Sequence, residues 1–241
     1  MTDSIAGPRP LTGRTIAVTG ASRGIGLAIV ELLAMKGAHV IAGARAVGDH
    51  QINGARFMPL DVTSEASTRE FADRAASAGA DTLINNAGVG SFSALEEVTV
   101  DEYRRVMDTN VLGVLLTSKC FVAHFRRRFE HRMGSQVINV TSDVSNRTFA
   151  KGGLYTASKF AQRALTQALA FEGQAYGLRV TEIRPGMTDT NFNDQTPGTS
   201  ERALHLKPAD VAQAVLYAVS VPPHVRVDEL LVHPACQDVV F

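Results

Sequence analysis

The sequence predicts an α/β protein with one doubly wound, parallel seven-stranded sheet flanked by helices. Two observations lead to this fold class. Seven short runs of apolar, strand-forming residues recur along the chain, and helical patterns separate most of them. Several of these runs are followed at once by short segments rich in Gly, Asn and Thr, which is typical of the ligand-binding carboxyl edge of a parallel sheet.

The composition is that of an ordinary globular protein. The chain has 241 residues, of which 45% are hydrophobic and 20% charged, and its formal net charge is zero. This length suits one large domain, which we place at residues 14–241, behind a flexible tail at residues 1–13. A neutral chain without a basic, aromatic-rich stripe gives no reason to expect a nucleic-acid partner.

We expect no signal peptide, membrane span, disulfide framework or metal site. Residues 1–10 carry no apolar run, and the apolar stretches elsewhere look too short to cross a bilayer. Cys120 and Cys236 are far apart and lack metal-ligand spacing. These features predict a cytoplasmic protein.

The first part of the chain has the pattern of a nucleotide-binding unit. A strand at Thr15–Thr19 runs into a loop that contains Gly20, Gly24 and Gly26, and a helix and a second strand, His39–Ala44, follow. Glycines let the turn come close to a pyrophosphate, whose charge the amide groups at the helix start would face. The alternative is a tight turn without a ligand.

The end of the second strand bears on which dinucleotide would bind. Proteins that bind NAD usually place an acidic residue there, where it holds the ribose hydroxyls. This chain has Ala44 and Arg45, with no carboxylate before Asp49, and Arg23 of the Gly loop could converge on the same point. Two guanidinium groups suit a 2′-phosphate, so we favour NADP(H) over NAD(H). The alternative is that Arg45 is a surface charge.

The remaining elements follow from apolar periodicity and from breaks at Gly, Pro and Asn. We expect strands at residues 56–60, 82–85, 136–140, 179–183 and 229–233. We expect helices at residues 63–78, 99–128 (as two helices), 155–176 and 208–220. Residues 46–55 are too few for a full helix, and the polar residues 191–206 predict a mobile segment over a site.

Several positions next to these elements are candidate ligand contacts. Asp61 would hydrogen-bond an adenine amino group, or would merely cap the following helix. Strand four leads into Asn86, Ala87 and Gly88, where small residues let a ligand lie against the backbone. Asn110 lies inside a helical pattern, where Asn is mildly unfavourable, so it has either a function or a local carbonyl partner.

Residues 136–159 contain the candidate catalytic residues. A strand delivers Ser142 at its carboxyl end, and Tyr155 and Lys159 are four residues apart, so they share one helix face. A phenol titrates near pH ~10, and a nearby ammonium stabilises the phenolate and lowers that pKa. A Tyr, a Lys and a Ser hydroxyl aimed at one point make a proton-transfer site for a carbonyl or alcohol. The alternative is a solvated Lys159 and a Tyr155 that merely begins a helix.

Together these motifs resemble the short-chain dehydrogenase/reductase family over nearly the whole chain. Residues 19–26 resemble its cofactor loop, residues 85–88 its strand-four motif and residues 185–190 its nicotinamide-side turn. The matches to its catalytic tetrad are Asn110, Ser142, Tyr155 and Lys159. The resemblance implies a Rossmann-type domain whose cofactor-binding residues are Gly20, Ser22, Arg23, Gly24, Ile25, Gly26, Arg45, Asp61, Val62, Asn86, Ala87, Gly88, Tyr155, Lys159, Pro185, Gly186, Thr188 and Thr190.

The resemblance also implies an activity. We expect an NADP(H)-dependent oxidoreductase of carbonyl-reductase type that interconverts a ketone or aldehyde and a secondary alcohol by hydride transfer. Ser142 would bind the carbonyl oxygen and Tyr155 would donate the proton. Lys159 would hold the nicotinamide ribose and lower the pKa of Tyr155. Asn110 would fix a water that links this lysine to solvent.

Alternatives remain for the activity and for the assembly. The protein could be an NAD-dependent alcohol dehydrogenase of the same fold, a catalytically silent NADPH-binding sensor, or an epimerase or dehydratase. Residues 221–237 are similar to those of family members that act on small 3-hydroxy acids. The long helices at residues 99–128 and 155–176 resemble those that pair subunits in this family, so we expect a homodimer or homotetramer.

Overall fold

A parallel seven-stranded sheet forms the centre of the protein, as predicted. The structure is a computed structural model that describes residues 10–131 and 134–238. Its strands are β1 (Thr15–Thr19), β2 (His39–Ala44), β3 (Ala55–Pro59), β4 (Thr82–Asn85), β5 (Ser135–Val140), β6 (Leu178–Pro185) and β7 (Glu229–Val232). They lie in the order β3-β2-β1-β4-β5-β6-β7, and every neighbouring pair is parallel.

Helices cover both faces of this sheet and bury its strands. They are α1 (Gly24–Met35), α2 (Glu65–Ser77), α3 (Val100–Met107), α4 (Gly113–Glu130), α5 (Gly153–Gly173) and α6 (Pro208–Ser220). On one face α1 and α6 pack over a core that includes Ile16 and Ile138. On the other face α2 and α4 meet around Phe71, Phe121 and Phe125. Burial on both faces explains why the strands are continuous apolar runs rather than alternating ones.

The connection between β2 and β3 is short, as the sequence indicated. Residues 45–54, all of which the structure describes, form turns rather than a helix. His50 anchors this connection, because its Nε2 lies 3.1 Å from the carbonyl oxygen of Ser22 and its ring packs on Phe57 with 4.8 Å between centroids. The shortened segment is therefore tied to the Gly loop.

One expectation about local structure is confirmed and another is corrected. The two helices predicted at residues 99–128 are α3 and α4, and the π-helical turn Asp108–Leu112 joins them into one helical rod from Val100 to Glu130. Of the expected tail, residues 1–9 lie outside the described residues, whereas Leu11 is 1% exposed and its N–H donates to the Lys36 carbonyl at 3.1 Å. The packed part of the chain therefore reaches back at least to Leu11.

The expectation that the apolar stretches are too short to cross a bilayer is also wrong, when the stretches are judged by length and composition alone. The 31-residue rod Val100–Glu130 is long and apolar enough to pass that test, although 44% of its most apolar window is buried inside the protein. Val106, Phe121 and Phe125 of this rod pack in the core, each at most 1% exposed. Core packing accounts for the apolar composition of this helix.

The strand order places a ligand crevice at one edge of the sheet. The chain builds outward from β1 to β2 and β3, then returns to the other side of β1 with β4. The carboxyl ends of β1 and β4 point to the same edge, and their connections leave in opposite directions. Such a switch point is where open α/β sheets bind ligands.

Candidate active site

A cavity of about 1680 Å³ opens at the carboxyl edge of the sheet. Every residue predicted for the site lines it, with the exception of Asn110. The lining residues among those predicted are Gly20, Ser22, Arg23, Gly24, Ile25, Gly26, Arg45, Asp61, Val62, Asn86, Ala87, Gly88, Ser142, Tyr155, Lys159, Pro185, Gly186, Thr188 and Thr190. One continuous cavity therefore joins the Gly loop to the proton-transfer residues, an arrangement that suits an extended ligand.

The loop after β1 brings bare backbone to the cavity wall. Gly20 and Gly24 have φ angles of +65° and +55°, in the left-handed region that side chains disfavour. A Cβ on Gly26 would lie 2.1 Å from the Gly20 carbonyl oxygen, so no side chain fits there. The N–H groups at the start of α1 are thus left accessible to an anion, which fits the pyrophosphate of a dinucleotide.

Asn86 fixes the distance between the loops that follow β4 and β1. Its Nδ2 donates to the carbonyl oxygens of Thr19 and Gly20, each at 3.1 Å. The hydroxyl of Thr19 accepts from the N–H groups of Asn86 and Ala87, also at 3.1 Å each. The side chain of Asn86 is therefore occupied with the protein, and it shapes the cradle rather than reaching into it.

Arg23 and Arg45 both line the cavity at its Gly-loop end and are exposed. Arg23 is the extended residue just before α1, and Arg45 directly follows β2. Within residues 10–131 and 134–238, neither guanidinium forms a salt bridge. Both groups can therefore bind an external anion without giving up a partner.

Asp61 is engaged in the turn that precedes α2. Its Oδ1 accepts from the N–H of Thr63 at 2.9 Å and from the Thr63 hydroxyl at 2.8 Å. These hydrogen bonds, with a smaller contribution from the charge of Arg45, hold the pKa of Asp61 below its usual value. The N-cap of α2 is Ser64, which accepts from Ser67 N–H. Asp61 thus organises the turn without being the cap, and it still lines the cavity.

Ser142 stands beside a buried carboxylate that sequence reasoning did not single out. Its Oγ donates to Asp143 Oδ1 at 3.1 Å. The other oxygen of Asp143 accepts from Gln237 Nε2 at 2.7 Å, and Arg147 forms an ion pair with the same carboxylate. The adjacency of Asp143 to Ser142 was visible in the sequence, but the approach of Gln237 from the chain's far end was not.

Arg184 at the end of β6 holds the backbone on which Ser142 stands. It is 3% exposed, and it donates to the carbonyl oxygens of Ser142 at 3.4 Å and Asp143 at 3.1 Å. Glu229 of β7 is its ionic partner. The guanidinium of Arg184 is buried, so it can hold this turn only while the carboxylate of Glu229 compensates its charge.

Tyr155 has a pKa that moves opposite to the sequence-based expectation. The side chain is buried, and burial raises the pKa of its phenol well above the usual value. A hydrogen bond with Ser142 opposes this rise, and the negative charge of Asp143 adds to it. Lys159 lies with its Nζ 5.6 Å from the ring centroid, yet it does not lower the pKa of the phenol here. The protein alone therefore keeps Tyr155 protonated.

Lys159 is itself buried, and its ammonium is correspondingly disfavoured. Burial lowers the pKa of Lys159 to about 7, against a smaller opposing effect of the negative Glu182. Its Nζ donates to Gln162 Oε1 at 2.7 Å. Near neutral pH the side chain is thus close to the midpoint between ammonium and amine. A charge or hydroxyl placed next to it would therefore change its protonation state.

Asn110 lies beneath the cavity instead of lining it. It is fully buried in the π-helical turn, where its Oδ1 accepts from Val89 N–H at 2.8 Å and its Nδ2 donates to the Val89 carbonyl and to Ser158 Oγ, each at 2.9 Å. A Cβ on Gly88 would lie 3.4 Å from Asn110 Oδ1 and 3.6 Å from Lys159 Nζ. Asn110 thus supports the loop next to this lysine, with both ends of its amide engaged by protein.

The turn after β6 is held by the end of the chain. A Cβ on Gly186 would lie 2.4 Å from Gln237 Oε1, and that same oxygen accepts from the N–H of Met187 at 2.9 Å. Gly186 is therefore needed for packing as well as for lining the cavity. The following residues, 191–206, form two short 3-10 turns over the cavity, and Asp189 pins their base by accepting from Gly198 N–H and Lys207 Nζ.

Among the described residues, no group of three or more His, Cys, Asp or Glu side chains is arranged to hold a metal ion. The arrangement can instead bind an extended phosphate-bearing ligand at the Gly loop and transfer a proton at the far end of the same cavity, where Ser142, Tyr155 and Lys159 converge.

Comparison with known proteins agrees with this geometry. Residues 14–200 match the family model described as short chain dehydrogenase. An uncharacterized oxidoreductase of Staphylococcus aureus is 34% identical over 93% of this chain and 98% of its own length. Glycine betaine reductase of Emericella nidulans is 32% identical over 93% of this chain, which spans only 19% of that longer protein.

Among solved structures, an alcohol dehydrogenase from the archaeon Thermococcus sibiricus, complexed with 5-hydroxy-NADP, superposes with a TM-score of 0.85. It is 33% identical, and the match covers 95% of this chain and 99% of that one. The fold, the family model and the relatives agree, and the chain is an oxidoreductase that belongs to the short-chain dehydrogenase family.

Proposed function

We propose that the protein is an NADP(H)-dependent oxidoreductase that interconverts a ketone or aldehyde and a secondary alcohol. The observation that carries this proposal is the single cavity in which Ser142, Tyr155 and Lys159 share one end and the Gly loop with Arg23 and Arg45 forms the other. When bound, the cofactor supplies the hydride from the nicotinamide ring, and the chain supplies position, proton and electrostatic field.

In the reductive direction the substrate carbonyl oxygen binds between Ser142 and Tyr155. Tyr155 is protonated at neutral pH because burial raises its pKa, so it can donate a proton to the oxygen as negative charge develops there. Ser142 gives up its hydrogen bond to Asp143 and donates to the same oxygen. In the oxidative direction the phenol must first lose its proton, which the buried carboxylate of Asp143 disfavours.

Lys159 and Asn110 have supporting roles in this proposal. Lys159 holds the ribose hydroxyls of the nicotinamide side, and it can both release and accept a proton near neutral pH, because its pKa is about 7. Asn110 acts as a positioning residue: it clasps Val89 and Ser158, and so keeps the loop at Gly88 next to Lys159.

The preference for NADP(H) rests on Arg23 and Arg45. These two exposed guanidinium groups flank the adenosine end of the cavity, where an NAD enzyme usually has a carboxylate. The related archaeal alcohol dehydrogenase carries an NADP derivative. In Arg45→Asp we expect the ratio of kcat/KM with NADPH to that with NADH to fall by at least about tenfold, since a bidentate phosphate contact becomes a repulsion. An unchanged ratio would contradict the assignment of Arg45 to the 2′-phosphate, and a wild type that prefers NADH would favour the alternative, an NAD-dependent alcohol dehydrogenase.

NADPH oxidation against a panel of ketones and aldehydes, followed by absorbance, tests the activity. We expect turnover with the wild type and a loss of at least about a hundredfold in kcat for Ser142→Ala, which removes a donor to the developing oxyanion. A Ser200→Ala variant on the surface turn over the cavity is the matched control. Tight NADPH binding without turnover across the panel would contradict the proposal in favour of a cofactor sensor.

We also propose that the protein is a homodimer or homotetramer. The rod Val100–Glu130 and α5 expose large apolar side chains, with Leu115 47%, Phe160 45% and Phe171 79% exposed. A second copy would remove this surface from water. Light scattering after size exclusion checks the assembly, and a monomer at micromolar concentration would contradict it.

The cytoplasm is the location that we propose. Cys120 and Cys236 are both free thiols, and free thiols persist in reducing compartments. Fractionation of cells that express the tagged protein checks this, and recovery in an oxidising or membrane fraction would contradict it.

A further inference from the structure

Three phenylalanines from separate loops form an aromatic cluster with Tyr155: two of them contact its ring, and the third packs on one of these two. Phe92 follows β4, Phe149 follows β5 and Phe192 follows β6. The centroids of Phe92 and Phe192 each lie 5.6 Å from that of Tyr155, and Phe149 lies 6.0 Å from Phe92. This cluster could not be predicted from the sequence, because its members are far apart along the chain and come together only when the three loops meet.

These rings are not part of the hydrophobic core. Phe149 is 40% exposed and the other two rings are half-buried, whereas the core phenylalanines Phe71 and Phe121 are at most 1% exposed. All three lie on the wall of the cavity next to Tyr155. Apolar surface kept in a concave site costs free energy until something covers it, at roughly 25 cal/mol per Å².

The backbone holds two of the rings in place. A Cβ on Gly90 would lie 2.7 Å from the Phe192 ring, and one on Gly152 would lie 2.5 Å from the Phe149 ring. Phe192 therefore packs directly against the loop after β4, and Phe149 packs against the backbone of its own loop, so this part of the apolar wall is already formed in the protein alone.

The polar neighbours of the site disfavour an anionic substrate group. The buried carboxylate of Asp143 lies next to Ser142, and the nearby guanidinium of Arg147 is already paired with it. A substrate carboxylate would have to compete for Arg147 and would lie close to a like charge. An uncharged group against the aromatic wall meets neither obstacle.

We propose that Phe92, Phe149 and Phe192 form the subsite for an apolar arm of the substrate. The substrate is then a small uncharged ketone, or the corresponding secondary alcohol, with an aryl or branched alkyl group on the carbonyl carbon. This assignment rests on the proposed function, since it places the reacting carbonyl at Ser142 and Tyr155. It differs from the small 3-hydroxy acids that the last residues of the chain suggest.

The test compares three methyl ketones that differ only in their arm: acetophenone, acetone and acetoacetate. With the wild type and NADPH we expect kcat/KM for acetophenone to exceed that for acetone by at least about tenfold, and acetoacetate to be no better than acetone. In Phe149→Ala the ratio of kcat/KM for acetophenone to that for acetone should fall by about tenfold, mainly because KM for acetophenone rises. Phe149→Leu should restore part of this ratio. Tyr217→Ala, which truncates an exposed ring on α6, is the matched control.

Three results would overturn the assignment: a preference for acetoacetate, no preference for the aryl ketone, or an unchanged ratio in Phe149→Ala. If no ketone is reduced at all, the proposed function fails, and the subsite is then tested by calorimetric titration with 1-phenylethanol. Binding to the wild type that weakens by about tenfold in Phe149→Ala supports the subsite. No binding, or equal binding to both proteins, refutes it.

Discussion

Replacement of the buried lysine, Lys159→Met, should change how the stability of the protein depends on pH. Lys159 is 4% exposed, and burial lowers its pKa to about 7 from 10.5. One pKa unit corresponds to about 1.4 kcal/mol, so holding this side chain charged costs the folded protein about 5 kcal/mol. Methionine keeps most of the aliphatic packing and carries no proton.

The direction of the effect follows from proton binding. Between pH 7 and 10.5 the unfolded chain keeps the lysine proton while the folded protein releases it, so the free energy of unfolding rises with pH. The penalty is fully present below pH 7 and is lost as the pH rises toward 10.5. From about pH 7 to about pH 9.5 the wild type should gain about 3 kcal/mol relative to Lys159→Met.

Urea unfolding followed by far-UV circular dichroism at both pH values measures this difference. The other titratable groups are common to the two proteins and largely cancel in it. Lys36→Met is the control, because Lys36 is exposed at the end of α1 and should shift the difference by less than about 0.5 kcal/mol. A wild-type-minus-variant difference that stays constant across this pH range would refute the lowered pKa.

Three further outcomes are expected. In Gly26→Ala the new Cβ would lie 2.1 Å from a backbone oxygen, so the affinity for NADPH should fall at least about a hundredfold in a fluorescence titration. The control Gly134→Ala, whose new Cβ would have no atom within 4 Å, should leave this affinity unchanged. Arg184→Met removes buried donors to the carbonyl oxygens of Ser142 and Asp143, so it should destabilise the protein by about 1–3 kcal/mol in urea unfolding, and a loss below about 0.5 kcal/mol would contradict this. Asp143→Asn removes a negative charge that raises the pKa of Tyr155, so the pH–rate profile for alcohol oxidation should move to lower pH. A profile that stays in place would argue against that electrostatic effect.

The fold could be read from the sequence because its signals are local. Strands such as Thr15–Thr19 are buried on both faces, so their apolar runs stand out, and the structure confirms them within one or two residues. The short link from β2 to β3 was equally visible, since residues 46–55 are too few for a helix. The two helices within residues 99–128 were expected as well, but the π-helical turn that joins them into one rod was not.

The candidate site was predicted where residue type and spacing suffice, and missed where tertiary contacts decide. Tyr155 and Lys159 could be paired because four residues make one helical turn. Their pKa values depend on burial, which turned the expected lowering for Tyr155 into a rise. Gln237, which hydrogen-bonds Asp143 from 94 residues away, has no signal in a single sequence.

The central claim is that Tyr155 supplies the proton for carbonyl reduction, and Tyr155→Phe tests it most directly. This change removes one oxygen from a buried ring, so NADPH affinity should stay within about threefold of wild type while kcat for the best ketone falls at least about a thousandfold. A variant that binds NADPH normally and reduces the ketone at a near-wild-type rate would contradict the account.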